Sequence, residues 1–334
     1  MANLRTTVTE LATGLGTLGY DSIEAALAGQ PGEMVSVSPE TWTQLQRAHR
    51  GGALNADFER AWANGVAFFH ATDGLRGRRP TVIEWKGSHR APGDEVAPID
   101  LRIDHVYLVS CKYLSRIMIN ASSGNLFERL LRGGHGVRGR DWYAEVAPAE
   151  YQQLYEAVAG ELGSSELPPR PGDLNQDERQ RLARALTGGW PGDTQSLYAS
   201  LAETVAHETA ERWQKLLARR SESEAMLWRI LRMGSAPYFV LGASPLGPLQ
   251  LRVATPWDWR LRFRLRTFEC TAQLGGQPRI GWRATAEDRN SAVRSLISGH
   301  VEVRWSHGRF GGYPEAKVYL DTPHADVPGY FLLR

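Results

Sequence analysis

In the stretch Ile99-Asp100-Leu101-Arg102-Ile103-Asp104-His105-Val106-Tyr107-Leu108-Val109-Ser110-Cys111-Lys112-Tyr113, polar and apolar residues alternate on either side of an Asp-His break. Successive side chains of a strand point to opposite faces, so alternation of this kind marks a half-buried strand. The stretch therefore reads as one bent strand or as a tight hairpin. In either form Ser110 and Lys112 face the same way, with Val109 and Cys111 directed into a core behind them.

Working outward, a helix is expected from Asn55. Asn55 or Asp57 can cap it, and Phe58, Ala61, Trp62, Val66 and Phe69 recur at helical spacing, with Glu59 near the edge of that apolar face. Residues 81–85 read as a strand, 88–98 as a Gly/Pro loop, and 125–131 as the start of another helix. Helix, strand, strand, strand, helix makes an α/β core, a mixed sheet flanked by helices, over residues 55–148. Residues 1–54 look like a helical lead-in. Residues 149–235 form a helical segment, with helices expected at 149–162, 177–186, 196–217 and 221–233 and a Pro/Gly-rich linker at 167–173. Residues 236–334 read as a β-rich domain with Gly/Pro turns. No internal repeat or low-complexity tract is present.

At 334 residues the chain has enough apolar sequence for two domains or for one core with a large appended region. Its two cysteines, Cys111 and Cys270, lie far apart outside any CxxC or Cys/His pairing, which argues against a disulfide framework or a zinc site and suits a reducing cytoplasm. The sequence has no run of eighteen apolar residues and no signal-peptide pattern at its start, so a soluble cytoplasmic protein with no membrane partner is expected. A net charge of +2 makes nucleic-acid binding a local property and not one of the chain as a whole. Among 39 basic residues only four are lysine, Lys86, Lys112, Lys215 and Lys317. Arginine serves as a phosphate fork, whereas lysine is a compact charge with a tunable pKa. Three of the four lysines follow an acid or hydroxyl two positions earlier.

Cutting a phosphodiester needs an in-line water, hard cations to neutralise developing charge, and a positive group near the phosphate. Two constellations offer such groups. One is Asp100 and Asp104 with Ser110 and Lys112, preceded by Glu59 on its helix. The other is Glu84-Trp85-Lys86 with Asp73 upstream. The first resembles the PD-(D/E)xK superfamily of restriction-endonuclease-like nucleases, over residues of about 55–131. The resemblance implies an α/β nuclease core with Asp100 or Asp104 as the metal-binding Asp, Lys112 as the catalytic Lys and Glu59 as the helix acid. Ser110 stands where the second acid of the pattern belongs. Either Asp73, Glu84 and Lys86 form the site, or Glu84 reaches across from the neighbouring strand to replace the missing acid; the second keeps the family's order. The expected ligand set is Asp100, Asp104 and Glu84 around Mg²⁺ or Mn²⁺.

A third feature is Trp259-Arg260-Leu261-Arg262-Phe263-Arg264-Leu265-Arg266-Thr267-Phe268, whose alternation predicts a strand with Arg260, Arg262, Arg264 and Arg266 in a row. Residues 251–300 hold nine basic and four acidic side chains, so nucleic-acid contact is expected there. Trp257, Trp259, Trp282 and Trp305 could stack bases, though core positions suit tryptophan better. In the polar stretch 299–310, read as part of a hairpin, His307 and Arg309 near a turn are secondary phosphate contacts. The chain has no Walker loop, GxSxG, HExxH or GxGxxG. The expectation is a metal-dependent nuclease acting on DNA ahead of RNA, in restriction or phage defence, working as a homodimer or with a defence-system partner. One alternative is a non-enzymatic nucleic-acid-binding or assembly protein with a degenerate nuclease fold. Another is a small-molecule enzyme whose anionic substrate lies on the arginine row.

Overall fold

The computed structural model describes residues 4–87, 99–129, 141–163 and 166–334. The expected loop 88–98 and the end of the expected helix 125–131 lie outside the described residues. The chain opens with α1 (Leu4–Gly16), α2 (Ile23–Gly29), the short β1 (Met34–Val35) and α3 (Pro39–Arg50). Ser22 and Ser38 cap α2 and α3 by accepting from the N–H groups of Ala25 and Thr41. Next come α4 (Asn55–His70), β2 (Ile83–Trp85), β3 (Leu101–Ile103) and β4 (Tyr107–Tyr113). The stretch 99–113 is thus a hairpin. It turns where Asp104 and His105 both take positive φ, 47° and 58°, the paired left-handed geometry that suits the twist of tight hairpins.

Beyond it lie β5 (Ile117–Ser122), a π-type turn (Asn125–Arg129), α5 (Trp142–Val146), α6 (Pro148–Glu161), α7 (Gln176–Ala185), α8 (Thr194–Leu216) and α9 (Arg220–Ile230). The four expected helices of the middle segment are α6 to α9, each within a few residues of its expected bounds. Then follow β6 (Tyr238–Ser244), β7 (Gly247–Val253), α10 (Pro256–Arg262), β8 (Phe263–Gln273), β9 (Arg279–Asp288), β10 (Arg294–Arg304), β11 (Glu315–Leu320) and β12 (Tyr330–Leu332).

These elements divide into two compact units. The first gathers residues 1–116, 231–263 and 323–334 around a seven-stranded mixed sheet of order β1-β2-β3-β4-β6-β7-β12. β4 and β6 run parallel, while β2, β3 and β4 form an antiparallel meander. Helices α1 and α4 pack together against this sheet. They approach closely because both carry glycine at the crossing: a Cβ on Gly65 would stand 2.2 Å from the Thr13 carbonyl oxygen, and one on Gly16 2.4 Å from that of Trp62. Val8, Leu11, Leu15, Phe58, Phe68, Ile83, Leu101, Ile103, Val109, Phe239 and Leu241 fill the core between helices and sheet. This arrangement corrects two expectations. Residues 4–16 are a core helix and not a lead-in, and β6, β7 and β12 complete the first sheet and do not belong to a separate C-terminal domain. A parallel partner needs a long crossover, so the pairing leaves no local mark in the sequence.

The second unit, residues 117–230 and 264–322, holds a five-stranded antiparallel sheet of order β5-β11-β10-β9-β8. Alternate residues of β10 and β11, such as Val301, Val303, Ala316 and Val318, are buried. Trp142, Trp213, Phe127, Tyr143 and Trp282 make its aromatic core, and the Trp142 indole N–H donates to Thr209 Oγ1 at 2.9 Å. Among the described residues no helix is long and apolar enough to cross a membrane.

Candidate active site

The β3–β4 register pairs Leu101 with Val109 and Arg102 with Leu108. Leu101, Ile103 and Val109 face the helices, so the neighbouring positions Asp100, Arg102, Ser110 and Lys112 share the other face. The ladder ends at Leu101, and the Asp100 N–H donates to the Val109 carbonyl at 2.9 Å, which sets Asp100 beside β4. Asp100 Oδ2 accepts from Ser110 Oγ at 3.3 Å and from the Cys111 N–H at 2.6 Å, which fixes the carboxylate over the strand that carries Lys112. Ser110, 2 % exposed, also shares a hydrogen bond with the Tyr238 phenol on β6. The serine therefore positions the neighbouring carboxylate. It does not supply an acid itself.

A second carboxylate comes from an unexpected element. Glu10, in the middle of α1, is buried at 8 % exposure, and its Oε2 accepts the indole N–H of Trp85 on β2 at 2.7 Å. Burial first, then the charges of Asp100 and Glu10, push the Cys111 thiol well above its usual pKa. Cys111 thus feels both charges, Glu10 from the helix side of the sheet. The sequence held one signal for Glu10: it is the only charged residue between Arg5 and Tyr20, in a helix otherwise made of small, apolar and hydroxyl side chains.

His324, in a short 3₁₀ turn (His324–Asp326), is the other residue that the sequence did not single out. Burial, with the charges of Lys112 and Arg116, brings its pKa down to about 4, so it is neutral at pH 7. It lies within electrostatic reach of Lys112, and no local pattern announces it.

The other expected site residues are held elsewhere. Asp104 sits in the hairpin turn, where it accepts from the Thr81 N–H (2.7 Å), Thr81 Oγ1 (2.9 Å) and the Val82 N–H (3.3 Å) and pairs with Arg78 at 2.7 Å. Burial alone would raise its pKa, but the bonds from Thr81, Arg78 and Val82 outweigh it and hold the carboxyl below its usual range. Asp104 closes a turn. Glu84 shares the site's face of the sheet but lies in the row of Arg102 and Leu108, one row away from Ser110. Arg102 grips it at 2.7 Å, with Lys86 at 3.2 Å and His105 at 3.1 Å. Burial would raise the Glu84 pKa, and Arg102 and Lys86 more than offset that. Glu84 therefore does not bond to Ser110 in the structure; its charge is already matched. Asp73, the other partner considered for Glu84, stands 3.8 Å from Arg252, and Glu59 is on the exposed side of α4.

Among the described residues, no three His, Cys, Asp or Glu side chains gather as a metal-holding group. Mg²⁺ does not need three: it is commonly held by one or two carboxylates, its remaining ligands being water and substrate phosphate oxygens. Asp100, on the Lys112 face, could be one such carboxylate; Glu10 approaches the sheet from the helix side, through Trp85.

The arginine row takes a different form from the one expected. Thr255 caps α10 by accepting from the Asp258 N–H, Asp258 reaches back to the Thr255 N–H, and Pro256 opens the helix, so Arg260 and Arg262 are helical. This capping box overrides the alternation, which persists only from Phe263 onward. Arg264 and Arg266 do share a strand face, but both pair with Glu287 of β9, at 2.7 and 2.6 Å, and Arg294 joins them at 3.1 Å. Hydrogen bonds from Arg266, Arg264 and Arg294 bring the Glu287 pKa down to about 2. Of the tryptophans, Trp259 and Trp282 are fully buried, whereas Trp257 is 71 % exposed. His307 is exposed in the loop between β10 and β11; Arg309 in the same loop donates to the Leu186 carbonyl and lies over the Trp190 ring at 4.9 Å.

Compared with family models, curated proteins and solved structures, the chain finds no match in any of the three.

Proposed function

We propose that the chain is a metal-dependent phosphodiesterase acting on nucleic acid, DNA ahead of RNA, with its active site on the Asp100 side of the β3–β4 hairpin. One observation carries the reading: Asp100, Ser110 and Lys112 occupy one sheet face, with the Asp100 carboxylate bonded over the strand that bears the lysine. The reading also rests on the PD-(D/E)xK resemblance of the sequence, in which a helix and an acid-bearing strand precede the strand with the lysine. A hard divalent cation bound there would neutralise charge on the cleaved phosphate and activate a water. Asp100 would hold that cation, water and substrate phosphate oxygens supplying the remaining ligands. Ser110 and the Cys111 N–H keep Asp100 aimed, and Lys112 sets a positive charge beside the phosphate oxygens. His324, neutral at pH 7, adds no competing charge near that lysine. A role against foreign DNA is proposed on the resemblance alone.

The test is incubation with supercoiled plasmid and with structured RNA, in Mg²⁺, Mn²⁺ or EDTA. Metal-dependent cleavage is expected, reduced at least a hundredfold in Lys112→Ala and Asp100→Asn with binding unchanged. Ser110 in place of a second acid favours one other reading, a nucleic-acid-binding protein that keeps the fold without cleaving. Normal binding with no cleavage in either metal would establish that reading and remove the enzymatic one.

A further inference from the structure

The second unit carries a pocket that the cleavage reading does not use. A depression of about 570 Å³ opens between α7, the start of α8 and the sheet, walled by Trp190, Tyr198 and Trp305 with Arg304, Arg309 and Lys317. That volume falls in the ordinary range for small-ligand sites. Three aromatic rings and three cations line it, and among the described residues no carboxylate does.

The rings lie face to face, closest between Trp190 and Tyr198 and wider apart between Tyr198 and Trp305. Trp190 and Tyr198 stack at 4.7 Å between centroids and 27° between planes, and Tyr198 and Trp305 lie at the same 27° with centroids 6.3 Å apart. The Arg309 guanidinium covers the Trp190 ring at 4.9 Å, so a planar cation continues the stack. Burial raises the Tyr198 phenol to about 12, so it stays neutral at working pH. The cations are not fully matched by nearby acids. Arg304 approaches Glu302 at 3.5 Å, Glu302 also takes Arg279 at 3.1 Å, and Glu315 accepts from Ser306. Glu302, opposite Lys317 in the β10–β11 register, is thus shared between Arg279 and Arg304, and Arg309 turns to the Leu186 carbonyl and the Trp190 ring, which leaves more cations than carboxylates beside the rings among the described residues.

Aromatic faces with adjacent cations suit a flat heteroaromatic ring that carries a phosphate. We infer that this pocket binds one unstacked nucleotide, its base against Trp190, Tyr198 and Trp305 and its phosphate on Arg304 and Lys317. A free nucleotide and a nucleotide turned out of a strand present the same chemistry. Turning a base out is easiest where it is mispaired, so a duplex with a mispair separates the two sources. The site needs no metal and none of the residues assigned to cleavage.

The test is calorimetric titration in EDTA, with tryptophan fluorescence in parallel. The ligands are the nucleoside monophosphates, the matching nucleosides, inorganic phosphate, and matched and mispaired duplexes. Saturable binding with quenching is expected. Nucleosides and phosphate alone should each bind at least tenfold more weakly than the monophosphate or the mispaired duplex. Lys317→Gln, a strand position whose replacement leaves the rings intact, should weaken binding about tenfold. Trp190→Leu should lose roughly tenfold to a hundredfold, the size of one base–aromatic stack. Lys112→Ala should bind as the unaltered protein does, so a failed cleavage assay leaves this inference standing. Preference for the mispaired duplex assigns a strand nucleotide, and preference for monophosphates a free one. No quenching by any of these, or full affinity in both folded pocket variants, would overturn it.

Discussion

Asp104 and Asp100 stand four residues apart in one short segment with different surroundings, and their removal should have different effects. Asp104→Ala strips the Thr81 and Val82 N–H groups and Arg78 of their acceptor, so a loss of about 2 kcal/mol is expected in thermal or urea unfolding. Cleavage per folded molecule should be retained. Asp100→Asn should do the reverse. Glu10→Gln keeps an oxygen for the Trp85 N–H but removes a charge on the helix side of the sheet, away from Asp100; the metal requirement of cleavage and the melting temperature should both change little. A titration of rate against Mg²⁺ concentration checks this. His324 supplies a pH test. Its pKa is about 4 when folded, against about 6.5 unfolded, so the unfolded chain binds the proton first and stability falls as pH drops from about 6.5 towards 4. The loss attributable to His324 should be about 3 kcal/mol, less than a surveyed unfolding free energy. In His324→Phe, which keeps a ring against Tyr330, that part of the slope should vanish.

At the scale of elements, the placement of Glu10 depends on how closely α1 can approach α4. Gly65→Ala would drive a methyl into the Thr13 carbonyl, where only backbone can give way. The expected cost is about 1–3 kcal/mol in thermal or urea unfolding. Gly32→Ala, which meets nothing within 4 Å, is the matched control. The same scale shows what the sequence could reveal. Alternation at 107–113 placed Ser110 and Lys112 on one face, and helical periodicity located α6 to α9, because both signals are written in neighbouring residues. Alternation at 259–266 misled because Thr255, Pro256 and Asp258 start a helix inside it. A polar pattern of period two is compatible with a short helix, and the cap decides.

For the whole molecule, the unread part was long-range. Glu10 meets β4 from about a hundred residues away, and β6 lies beside β4 although roughly 120 residues separate them in the chain, beyond the reach of any window of local pattern. Hence the expected domain boundaries at 54 and 235 fall inside the first unit and the one at 148 inside the second, which takes over the expected core from residue 117. Gly242 marks the close β4–β6 seam: a Cβ there would lie 2.0 Å from the Lys112 carbonyl oxygen. Gly242→Ala should therefore disturb the strand that carries the lysine, giving a lower melting temperature and a lower cleavage rate together.

The seam also sets when the protein can act. Chains emerge from the ribosome at about 5–20 residues per second, so Lys112 waits on the order of ten seconds for the strand that will flank it. During that interval every proposed cleavage residue except His324 has been made, yet the sheet that aims them is incomplete. The proposed cleavage activity would then be absent from nascent chains. Chains stalled after residue 230 should show no cleavage above background, and chains released at full length should show it.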